Sequence, residues 1–196
     1  MKQIIISKKK HTHFWDGLNV LRAGILGAND GIISVSGIVL GAAGAQMSSE
    51  TLFLSGVAGM IAGACSMAGG EYISVSTQKD VQENKIRFQE KSNQIDATAS
   101  KTIIKSIDIL NPIHAAISSF FSFFLGSIIP LMAITCSPAN WRIVNTIIAM
   151  IIALFLNGQI SASNSEIPAR KVVVRNIVVG IITALLTYII GSLLSV

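Results

Sequence analysis

Long uncharged stretches alternate with short charged ones along this chain. Thr51 to Gly70 holds no Lys, Arg, Asp or Glu, and its apolar pattern runs on to Ser76. Pro112 to Trp141, Ile143 to Ser165 and Asn176 to Val196 are uncharged as well. A helix crosses a bilayer core of roughly 30 Å with about 20 apolar residues. The pattern therefore predicts spans at 51–76, 113–134, 143–163 and 174–195. Residues 18–43 are apolar and Gly-rich, although they contain Arg22, Asn29 and Asp30. A short turn, Gly44 to Glu50, separates them from the next span, so 18–43 reads as a fifth span forming a hairpin with it. The expected fold is an all-α polytopic membrane protein with five transmembrane helices over 18–196, a basic tail at 1–17 and a connector at 77–111.

The connector starts as a helix, with Glu83 and Arg87 at a favourable four-residue spacing. Further on, Ile103, Ile104, Ile107 and Leu110 share a helical face while Lys101, Lys105 and Asp108 lie elsewhere. That segment reads either as an interfacial helix or as a solvated cytoplasmic connector.

Composition agrees with the pattern. Of 196 residues, 51% are hydrophobic and only 13% charged, about half the share of a soluble domain. Mean hydropathy is +0.63. Two cysteines in different spans exclude a disulfide scaffold. The net charge of +5 gains meaning from its placement. Five spans put 1–17, 77–112 and 164–173 on one side, and with Arg22 and Arg175 counted at the nearer end that side takes 14 of the 15 Lys and Arg; the other side has Arg142 alone. The positive-inside rule then predicts a cytoplasmic N-terminus. Charge of this kind borders membrane spans rather than lining a nucleic-acid groove. The positive start is followed by no short apolar run ending in a small-residue cleavage site, so no removable signal peptide is expected. There is no Walker A loop, and hence no encoded ATP-driven pump.

The candidate chemistry lies where the bilayer makes it costly. Of ten carboxylates, eight fall in loops or at span ends; Asp30 and Glu71 do not. A charge at mid-membrane costs roughly 2.5–3.5 kcal/mol on insertion scales, so it usually faces a pathway or a partner. With the hairpin turning near residue 47, residue 30 is level with about residue 64. Asp30 is then roughly 18 Å into its helix, near mid-membrane. Met67 lies about one turn to the cytoplasmic side, and Glu71 four residues beyond on the same face. Asp30, Met67 and Glu71 thus form a ladder, to which Asn29, Ser66 and Ser74 can add oxygen ligands. Carboxylates alone suit Mg, Ca or Mn; a thioether favours softer ions, which suggests Fe(II) with Mn(II) as an alternative. Blander readings stand beside this one: Met67 as packing, Glu71 reaching the interface, and Asp30 as a proton carrier or paired with Arg22 in a non-transporting structural or regulatory subunit. No His–Glu constellation or nucleophile–base set lies inside the spans, which speaks against an enzyme.

Small residues recur at four-residue spacing: Gly27 and Gly31, Gly37 and Gly41, Gly59 and Gly63. Such pairs let helices approach closely in lipid, either for packing alone or to expose carbonyls to a permeating ion. Asn157, Gln159, Ser118, Ser119 and Ser122 are candidates for hydrogen bonds between helices, and Pro130 for a kink.

Residues 21–31, Leu-Arg-Ala-Gly-Ile-Leu-Gly-Ala-Asn-Asp-Gly, resemble the first-helix signature of the vacuolar iron transporter family. Residues 63–75, Gly-Ala-Cys-Ser-Met-Ala-Gly-Gly-Glu-Tyr-Ile-Ser-Val, resemble its second-helix signature. Asn111-Pro112, Ser119-Phe120, Pro130-Leu131, Asn157-Gly158 and Thr187-Tyr188 echo the later helices. The resemblance implies a five-helix homodimer that carries Fe(II), often Mn(II), out of the cytoplasm by proton exchange. It further implies a pathway between protomers lined by the first two helices, with the family's membrane Asp, Met and Glu at Asp30, Met67 and Glu71. The metal is cargo; no permanently bound cofactor is implied, and the partners are lipid, a second copy, divalent ions and protons. A bacterial inner membrane and a vacuolar membrane fit equally. One departure stands out. Iron-transporting members carry a larger cytoplasmic domain rich in Glu and Met between spans two and three. Here 77–111 is short and has no Met; Glu83 and Glu90, seven apart, are its weaker candidate ligands, so the chain looks like the short, nodulin-like branch.

Overall fold

A computed structural model describes residues 2–92, 111–163 and 168–194 with the isolated positions 96, 98 and 101, and for 2–16 the backbone alone. Five long helices stand among them: α1 (Lys2–Gly44), α2 (Ser49–Lys91), α3 (Pro112–Cys136), α4 (Arg142–Ser163) and α5 (Ala169–Leu194). Each is long and apolar enough to cross a membrane. Their outer faces carry large apolar side chains such as Leu54, Phe121, Leu125 and Leu193 in the open. Water would not tolerate that much exposed hydrocarbon, whereas lipid requires it. The chain is a multi-pass integral membrane protein.

Two helices exceed the expected spans. The backbone is helical from Lys2, and α2 continues past residue 76 to Lys91, taking in the helical start expected of the connector. No Gly or Pro interrupts residues 2–16 or 71–91, so nothing in either stretch breaks the hydrogen-bond ladder. Each helix has 43 residues and measures about 65 Å, twice the bilayer core. The first part of the connector is therefore a rod, along which Arg87 Nε donates to Glu83 at 3.1 Å. The apolar set Ile103, Ile104, Ile107 and Leu110 lies outside the described residues.

The hairpin between α1 and α2 has a Schellman-type end. Met47 N donates to Ala42 O and Gln46 N to Ala43 O, with Gln46 left-handed at φ 56°. Ser48 then caps α2, its Oγ accepting from Thr51 N. At the start of α3, Asn111 Oδ1 accepts from Ile113 N and Pro112 opens the first turn. The helix runs through Pro130 to Cys136.

α1 is the axis of the bundle and packs against all four other helices. Its Ile32, Ile33 and Leu40 meet Met150 and Leu154 of α4 and Ala184 of α5. Its Val35 and Val39 meet Leu52 and Met60 of α2 and Leu131 and Ile134 of α3. α2 contacts only α1 and α3 substantially. The small-residue pairs set the closest approaches. A β-carbon on Gly27 would stand 2.6 Å from Ser119 O, and one on Gly31 would strike the Phe123 carbonyl. Gly126 of α3 answers from the other side, against Ala28 O. Gly41 and Gly191 bring α1 and α5 together in the same way.

Candidate functional site

Three contacts fix the register of α1 on α2. Val39 lies against Gly56, Phe123 of α3 is wedged between Gly31 and Gly63, and Arg22 pairs with Glu71. All three keep residue 30 level with about residue 64, as the hairpin length predicts.

Within this register α2 has two unlike faces. Leu52, Gly56, Met60, Ala64, Glu71 and Val75 form a buried seam. Met67 continues the seam at the same three-to-four spacing and is half-buried. The other face is small and open: Ala58, Ala62, Cys65, Ser66, Gly69 and Gly70 are exposed. A β-carbon on Gly69 or Gly70 would meet nothing within 4 Å. On α1, Leu18, Arg22, Leu26 and Ile38 are exposed at multiples of four residues, and the half-buried Asp30 and Ser34 complete that row. Such a row is one ridge of the helix surface. Asp30 therefore lies on the ridge of α1 that α3, α4 and α5 leave uncovered.

The Asp30 carboxylate accepts one hydrogen bond among the described residues, from Ser34 Oγ at 3.1 Å. Arg22 is not its partner. The two are eight residues, about 12 Å, apart along α1, too far for the guanidinium to reach back. Arg22 instead turns across to Glu71, which is level with it on α2. The structural Asp30–Arg22 pair considered above is thus replaced by an Arg22–Glu71 pair between helices. Glu71 is buried within the bundle: its side chain is 7% exposed, against 51% for Arg22. The same guanidinium donates to Asn19 Oδ1 at 3.3 Å.

The supplementary ligands divide. Ser66 and Ser74 are exposed on α2. Asn29 faces the opposite way, its Oδ1 accepting from the buried Asn157 Nδ2 at 3.4 Å, while that nitrogen also donates to Ile25 O at 3.3 Å. Ser118 Oγ donates to Val20 O at 2.9 Å, and Ser127 Oγ to Gly31 O at 3.3 Å. The α1 backbone around Asp30 is thus gripped by side chains of α3 and α4. Among the described residues Ser119 Oγ is buried without a partner, and Gln159 is exposed, so neither joins this set. Cys65 and Cys136 are free thiols, both exposed. Glu83 is engaged by Arg87, and Glu90 stands half-buried one heptad further along the rod. Among the described residues, no three His, Cys, Asp or Glu side chains gather closely enough to hold an ion. The ladder in one chain is a series of separated donors, not a closed cage.

A profile of the VIT family matches residues 21–108 and 92–192, which takes in every rung of this ladder. The chain belongs to the VIT family. It is similar to "Vacuolar iron transporter homolog 2" of Arabidopsis thaliana, 34% identical over 152 residues, covering 77% of this chain and 72% of that protein. "Vacuolar iron transporter homolog 1" of the same plant is 32% identical over 169 residues, covering 86% and 80%. "VIT-like transporter 1b" of Glycine max is 28% identical over 190 residues, covering 95% and 82%. In this VIT-family chain, the contact absent from the sequence reading is Arg22 to Glu71; that reading weighed Arg22 only as an alternative partner of Asp30. The signal was present, because the hairpin register sets residue 22 opposite residue 71 or 72.

Proposed function

We propose that this chain carries a divalent transition metal, Fe(II) or Mn(II), out of the cytoplasm in exchange for protons. It has a cytoplasmic N-terminus and works as a homodimer. The observation that carries the reading is the placement of Asp30. A carboxylate near mid-membrane, held by a single hydroxyl on the ridge of α1 that α3, α4 and α5 leave free, is expensive unless a cation passes it. Met67 supplies a soft donor on the seam beside it, and Glu71 an acid toward the mouth. Because no three strong ligands meet within one chain, a second copy docking on the open small-residue face of α2 would supply the missing ones. The relatives' names speak of vacuolar iron transport, which favours iron as cargo and a vacuolar membrane as the location. Transport of this kind needs no enzyme chemistry.

The test is metal uptake into proteoliposomes under an imposed pH difference, with Fe(II) and Mn(II) compared. Wild type should take up metal only when the proton gradient is present. Asp30→Asn should reduce uptake to the level of empty vesicles while the protein stays folded and dimeric. Undiminished uptake by Asp30→Asn would refute the reading.

A further inference from the structure

We infer that Arg22 is a tethered competitor for the metal at Glu71, a built-in cation that occupies the mouth of the pathway until a divalent ion displaces it. The inference rests on the functional reading above, and it assigns a role to a residue that reading leaves unused. Three observations carry it. The Glu71 carboxylate is buried in the seam of α2, and its partner among the described residues is the Arg22 guanidinium from α1. That guanidinium is itself half exposed, so it can swing away without unpacking either helix. It also has a second acceptor, Asn19 Oδ1, one turn back along α1, which can keep part of its hydrogen bonding when Glu71 is released.

The order of groups gives the pair its consequence. Counting from the mouth, Glu71 comes first, Met67 is about 6 Å deeper, and Asp30 is about 12 Å deeper than Arg22. An ion entering along this face meets a positive charge already seated on the first acid. A carboxylate shared by a fixed guanidinium and a mobile metal binds the metal with its intrinsic affinity multiplied by the fraction of time the guanidinium is away. Arginine suits this better than lysine, since its planar fork matches a carboxylate and stays charged. Arg22 is thus a positioning and selectivity residue: a weak monovalent cation would not displace it, whereas a divalent one would.

The full chain in detergent, titrated with Mn(II) alone and read by electron paramagnetic resonance, tests this. Arg22→Gln should bind Mn(II) about tenfold more tightly than wild type, as expected when the competent state is a minor one. Arg22→Lys should fall between them. Arg22→Gln combined with Glu71→Gln should lose the gain. Equal affinity of wild type and Arg22→Gln would overturn the inference. So would a gain that survives in the double variant, because it would then come from general charge removal. If Arg22→Gln fails to fold with its buried acid unpaired, Arg22→Lys decides: affinity equal to wild type overturns the inference. The two proposals fail separately. Normal uptake by Asp30→Asn with tighter Mn(II) binding by Arg22→Gln removes the transport reading and keeps the competitor. Abolished uptake with unchanged binding does the reverse.

Discussion

The α1–α3 contact and the α1–α2 contact are built on the same small residues but to different ends. Between α1 and α3, glycines on both helices face backbone: Gly27 and Gly31 meet Ser119 O and the Phe123 carbonyl, and Gly126 meets Ala28 O. Serine hydroxyls of α3 then bond to α1 carbonyls. Between α1 and α2, glycines of α2 receive side chains of α1, Val39 at Gly56 and Ile38 at Gly59, while Gly63 takes the Phe123 ring of α3. Backbone against backbone cannot yield, because any added atom meets a rigid helix; side chains can change rotamer. The comparison teaches that α1 is clamped in place, with Asp30 on the ridge turned toward α2. α2, which carries Met67 and Glu71, is held by adaptable contacts and one ion pair.

The sharpest way to break this contrast is Gly31→Leu. The new side chain would drive into the Phe123 carbonyl, and the cost should exceed the roughly 1–3 kcal/mol of ordinary overpacking. No monodisperse protein should survive size-exclusion chromatography; a folded Gly31→Leu would show that the clamp is loose. Asn157→Ala should have the next largest effect, about 2 kcal/mol by thermal unfolding in detergent, because Asn29 Oδ1 loses its buried donor. Met67→Leu on the adaptable side should change stability by less than about 1.5 kcal/mol. Its signature should be functional, a lower ratio of Fe(II) to Mn(II) uptake, since sulfur is lost while volume is kept. The smallest effect belongs to Gly70→Ala on the open face of α2. Within one copy the fold should gain up to about 1 kcal/mol from helix propensity, measured on melts of the monomer. A large loss in the monomer would erase the distinction between the two regions, whereas a loss confined to the dimer would mark the face on which the second copy docks.

Much of this was legible before any coordinates. Uncharged stretches located the spans, and the short 44–50 turn set residue 30 opposite residue 64, because the helical rise is constant. The same arithmetic pairs residue 22 with residues 71–72, yet reading along one helix suggested Asp30 as the partner of Arg22. Rise gives the level of a residue but not the direction its side chain takes across a helix pair. Hydropathy also ended α2 near residue 76, where apolar residues stop. The helix itself continues, since polarity does not break a helix and only Pro, Gly or competing caps do.

By itself, the chain's pattern of charge, small residues and turn length determined the five spans and the levels of Asp30, Met67 and Glu71 relative to one another along the hairpin. Those quantities depend only on distance along a helix of known pitch. Only tertiary packing decided which way each residue faces: Asp30 onto the ridge turned toward α2, Asn29 back toward Asn157, Glu71 onto Arg22. Facing is set by how helices rotate to bring Gly27, Gly31 and Gly126 into backbone contact, a condition involving three segments at once that no single stretch of sequence contains.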